Sequence, residues 1–100
     1  MAVKLFAFYQ KPANEEAFWK HYNEVHTPLV HKLPGLQSFT VNRVTGSPMG
    51  EPPHYIVVEM VWPDHDSFGR AMASPENAAA AKDAGEMAPG LVTLAIAESD

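Results

Sequence analysis

The sequence predicts an α+β fold in which a four-stranded antiparallel sheet carries helices on one face, in the order β-α-β-β-α-β. Three observations predict it. Four segments with strand character begin near Val3, Gln37, Tyr55 and Leu91. Helical signatures fill the first and last gaps between them, whereas the middle gap holds only a proline- and glycine-rich loop. The chain has 100 residues, enough for one domain and hardly more. No linker divides it, so residues 1–100 are expected to form a single domain.

Val3 to Gln10 reads as the first strand, with Val3, Leu5, Ala7 and Tyr9 on one face and Phe6 and Phe8 on the other. Lys11-Pro12-Ala13 breaks it. Asn14 is then a helix N-cap, followed by Glu15 and Glu16 in the first turn, where the helix dipole favours negative charge. At 100° per residue, Tyr22, Val25 and Leu29 fall within about 40° of Phe18, which makes an apolar stripe. Pro28 should end or kink this helix, because its ring crowds the carbonyl of Glu24; Thr27-Pro28 would start a short second turn. Leu33-Pro34-Gly35-Leu36 is a turn, with Gly35 free to take positive φ.

Gln37 to Thr45 is the second strand, with Phe39, Val41 and Arg43 on one face and Ser38, Thr40 and Asn42 on the other. Gly46 to Pro53 holds two glycines and three prolines and is a loop. Tyr55 to Trp62 is the most strand-like segment, nearly all apolar, with Glu59 its one charge. After Pro63, Asp64 or Asp66 caps a helix through Ala73. Ser74-Pro75-Glu76 starts an alanine-rich helix to about Met87. Pro89-Gly90 turns into the last strand, Leu91 to Ala97. This order is the ferredoxin-like arrangement.

The first and third strands are apolar on both faces, yet helices can cover only one face of such a sheet. A second copy packing sheet against sheet is the simplest cover for the other, so a homodimer is expected.

Twelve acidic against seven basic residues give a formal charge of -5, which disfavours nucleic-acid binding. The absence of cysteine excludes disulfides, thiolate metal sites and a cysteine nucleophile. No apolar run approaches the roughly 20 residues of a membrane span, and Leu5 to Tyr9 is too short for a signal-peptide core. A cytoplasmic location is expected. There is no glycine-rich phosphate loop and no nucleophile elbow, so no nucleotide, flavin or other cofactor is expected.

His26-Thr27-Pro28-Leu29-Val30, followed by Leu33-Pro34-Gly35-Leu36 and later by Ser74-Pro75-Glu76 after a Trp62-containing strand, resembles the EthD family of the dimeric α+β barrel superfamily. The resemblance covers essentially the whole chain. It implies a dimer associated with catabolism of a small hydrophobic compound, as in bacterial degradation of ethyl tert-butyl ether beside a cytochrome P450 system. The family is loosely labelled oxidoreductase. Related barrels include cofactor-free monooxygenases, lactone isomerases, polyketide cyclases and haem-degrading proteins, and fold alone does not choose among them.

His21, His26 and His31 stand five residues apart, about 140° per step on an α-helix, so no two should share a face and no metal site is expected from them. His26 lies about 80° from Phe18, at the border of the apolar stripe and beside the Pro28 bend. There it either exchanges protons with a ligand or caps the last carbonyls of its helix; the resemblance favours the first. Tyr22, Phe39 and Trp62 are the leading candidates for a substrate-binding wall, with Phe6, Phe8, Tyr55 and Met60 behind them. Glu59 is expected either to pair with Arg43 or to act as a base. The expected function is binding or transforming a small hydrophobic compound without a cofactor, with His26 as the acid–base group. The alternatives are an accessory ligand-binding dimer serving an oxygenase partner, and a haem-handling barrel with His26 as axial ligand.

Overall fold

The computed structural model describes residues 1–100. The chain runs through β1 (Val3–Tyr9), α1 (Glu15–His21), a π-helical turn (Tyr22–His26), α2 (Thr27–Val30), β2 (Ser38–Arg43), β3 (Ile56–Trp62), α3 (His65–Met72), α4 (Pro75–Met87) and β4 (Val92–Glu98). One antiparallel sheet results, in the order β2-β3-β1-β4, which is the ferredoxin-like arrangement. β2 is shorter than Gln37 to Thr45. Gln37 and Val44 still donate their N–H groups across to Val61 and Tyr55, but the regular ladder closes between them.

The helix starts follow from local chemistry. Asn14, Asp64 and Ser74 each accept, through a side-chain oxygen, the backbone N–H three residues ahead. Pro75 at the first turn of α4 loses no hydrogen bond, since that N–H is unpaired in any helix. Gly35 takes φ 72°, and a Cβ there would sit 3.4 Å from the Trp62 ring.

Pro28 does not end the helical stretch, and the short second turn expected at Thr27-Pro28 forms as α2. The residues before it widen into a π turn, in which Thr27 N–H reaches back five residues to the carbonyl of Tyr22. The wider turn gives the proline ring room, and the α-pattern resumes over Thr27–Val30. The extra residue rotates everything after it. The buried positions are therefore Phe18, Tyr22, His26 and Val30, whereas Val25, expected on the stripe, is 41% exposed.

In β1 and β3 every second residue is buried against the helices: Val3, Leu5, Ala7 and Tyr9, and Ile56, Val58, Met60 and Trp62. The opposite face carries Phe6 stacked near Phe8, with Val57 and Val61 beside them, all half-buried. Glu59 lies on this second face and pairs with Lys4 at 3.1 Å, not with Arg43. Register explains the correction. Glu59 is aligned with Thr40 and Phe6, while Arg43 has the other parity, faces the helices, and sits 3.9 Å over the Trp19 ring. β4 is an edge strand, and its Leu94 and Ile96 remain more than half exposed on the helix side.

Candidate active site

Alternate residues of β1 and β3 form an apolar floor, and α4 passes over it with a row of small residues. Ala80, Ala81, Ala84 and Gly85 face that floor without filling the space, and a cavity of about 260 Å³ remains. This lies just below the range of about 300–1,000 Å³ common for drug-sized ligands, so it suits a small compound. Phe39, Val30 and Leu33 complete the walls, and the exposed Leu94 marks a mouth beside β4. Apart from His26, Asn77 and Gly85, the lining is aliphatic or aromatic.

His26 is the only buried residue outside the hydrophobic set, at 5% exposed. The π turn delivers it there, and Asp83 on α4 meets it. Asp83 Oδ2 lies 3.0 Å from His26 Nδ1, and Asp83 Oδ1 lies 2.8 Å from His21 Nε2. An i→i+5 turn brings positions five apart onto one side, so one carboxylate spans two histidines that α-helical geometry would separate. His31 is outside this group, its ring edge-on to Phe39.

Electrostatics assigns the protons. Burial lowers the His26 pKa, and this outweighs the opposing hydrogen bond and charge of Asp83. Burial alone would raise the Asp83 carboxyl, but the hydrogen bonds from His21 and His26 carry it below its ordinary value. At neutral pH Asp83 is therefore ionised and His26 neutral. An ionised carboxylate can only accept, so His26 Nδ1 carries the proton and donates it, and Nε2 keeps a free lone pair. Such an imidazole can take a proton from a bound molecule and share the resulting charge with Asp83.

Tyr22 and Phe39 line this cavity together with His26 and Met60. Trp62 does not. Its ring is fully buried against Phe68, and its Nε1 donates to the carbonyl of Pro34 at 2.9 Å, which pins the Leu33–Leu36 turn to β3. Phe6, Phe8 and Glu59 are on the far face of the sheet. Tyr55 is outside the cavity, its hydroxyl accepting a hydrogen bond from Trp19 Nε1 and donating one to Glu15. No residue of the Gly46–Pro53 loop lines the cavity. Asp83 and Tyr9 are the participants that sequence reasoning missed. A polar residue in an alanine-rich helix was the available signal for the first, and the helix-facing parity of β1 for the second.

The EthD domain model matches residues 10–89. The chain belongs to the EthD family. An EthD-family protein from Bacillus halodurans is 45% identical, with a TM-score of 0.93 and 100% of both chains covered. A Rhodococcus erythropolis chain, described as an uncharacterized 11.0 kDa protein in the thcB-thcC intergenic region, is 30% identical over 92 residues, 92% of this EthD chain and 89% of that one. At 20% identity and a TM-score of 0.68, with 99% and 93% of the two chains covered, the fold extends to SnoaB, a cofactor-independent oxygenase from Streptomyces nogalater. No helix of this EthD protein is long and apolar enough to cross a membrane.

Proposed function

We propose that this EthD-family protein acts as a homodimer that takes a small hydrophobic organic compound into the cavity under α4 and carries out cofactor-free acid–base chemistry on it, with His26 as the base. The observation that supports this reading is the placement of one neutral imidazole, oriented by a carboxylate, in an otherwise apolar cavity. Tyr22 and Phe39 would hold the ligand; Asp83 acts through His26 as a positioning residue. The shared fold of the oxygenase SnoaB is compatible with this reading but lends no residue to it.

The test compares His26→Gln with Ala84→Phe, which fills the cavity from α4. Ala84→Phe should abolish uptake of small aromatic compounds in a calorimetric titration while the protein stays folded. His26→Gln should keep uptake of these compounds but lose turnover of any of them that the native protein transforms. Equal loss of uptake and turnover in His26→Gln would make His26 an anchor and favour the accessory-binding role.

A further inference from the structure

The hydroxyls of two tyrosines beside the cavity have no partner in the protein. Tyr9 and Tyr22 are 2% and 1% exposed and both line the cavity. Neither hydroxyl takes part in a hydrogen bond within the protein. Yet no polar side-chain atom is sealed away without a partner, so both hydroxyls reach accessible space. Their rings lie edge to face at 5.9 Å, and the Tyr22 ring is 5.2 Å from that of His26. Tyr9, Tyr22 and His26 thus line the same small volume, and among them they carry two unpaired O–H donors and one imidazole acceptor.

We propose that the cavity is built for a weak organic acid whose negative charge comes to rest on oxygen, a phenol or an enol, with Tyr9 and Tyr22 holding the oxyanion. This rests on the reading of His26 as the base. The ligand's O–H bond breaks, its electron pair stays on oxygen, and the proton forms an N–H bond at His26 Nε2. The imidazolium is then paired with Asp83. Nothing is oxidised or reduced. An oxyanion in an apolar cavity needs donors already in place, and two phenols meet that need. Burial and the charge of Asp83 push the Tyr9 hydroxyl up to about 12, and burial raises Tyr22 further, so both stay protonated and donate across the neutral range.

The experiment uses two probes of nearly the same shape, 4-nitrophenol and 4-nitroanisole, which lacks the acidic proton. The native protein should bind 4-nitrophenol as the coloured phenolate at pH values where the free compound is mostly neutral. Tyr9→Phe and Tyr22→Phe should each weaken phenolate binding about tenfold, as expected for loss of one hydrogen bond to a charged group. Binding of 4-nitroanisole should change by less than about twofold in the same variants, which also shows that they fold. If 4-nitroanisole binds but 4-nitrophenol stays neutral, or binds equally well to both variants, the oxyanion role is wrong while the hydrophobic cavity stands. If neither compound binds, the cavity reading and this inference fall together.

Discussion

At the scale of single residues, Asp83 decides what His26 can do. Its carboxylate accepts from both His21 and His26, and its side chain is only 12% exposed. Asp83→Asn removes a charge-assisted acceptor and should cost about 1–3 kcal/mol, read as a lower urea midpoint near neutral pH. Activity that depends on His26 should fall with it, because the proton is no longer held on Nδ1. The lowered His26 pKa also makes stability depend on pH in a definite direction. Below its unfolded value of about 6.5 the unfolded chain takes up a proton that native His26 resists. This contribution is complete above that value and is lost as pH falls towards the native pKa. The depressed carboxyl of Asp83 adds a contribution present above 3.8 and lost at lower pH still. Urea midpoints measured from about pH 7.5 down to about pH 5 should therefore decline, and His26→Gln should flatten the His26 part of that slope.

Among the elements, the π turn is the one that makes the site. Removing Val25 and restoring a regular α-helix would place Tyr22 and the shifted His26 and Val30 within about 40° of Phe18. Deletion of Val25 should thus leave a cooperatively melting protein by circular dichroism; loss of the melting transition would show that the π turn is needed for folding. Gly35→Ala forces a side chain into positive φ beside Trp62 and should cost roughly 1–2 kcal/mol, measured by thermal unfolding. These elements differ in how well the sequence announces them. Caps at Asn14 and Ser74 were legible because each is decided within four residues; for α3 the sequence left Asp64 and Asp66 open, and Asp64 is the cap. Strand parity was legible too, with Val3, Leu5, Ala7 and Tyr9 on one face and Phe6 and Phe8 on the other, but parity alone did not say which face borders the cavity that Tyr22, Phe39 and His26 line. The histidine pair was not legible, because a uniform 100° step cannot anticipate the turn that accommodates Pro28. Trp62 was misplaced for a related reason: its strand face was readable, but nothing local showed that the Pro34 carbonyl would claim its N–H.

For the whole molecule, the uncovered sheet face carries the argument for a dimer. Phe6, Phe8, Val57 and Val61 surround the Lys4–Glu59 pair on a face that no helix reaches. Light scattering should give twice the 11.0 kDa chain mass, and Phe8→Glu should shift it to the single-chain value. A native protein that stays at one chain mass at micromolar concentration would refute the assembly. The position of β1 between β3 and β4 has a separate consequence, for synthesis. Val3 must find Trp62 on one side and Glu98 on the other. β1 thus leaves the ribosome well before either of its sheet neighbours, and its two ladders close only after β3 and then β4 have followed. Pairings this distant in sequence should slow folding relative to a helical bundle of the same size and leave both apolar faces of β1 open to chaperone binding until the later strands arrive.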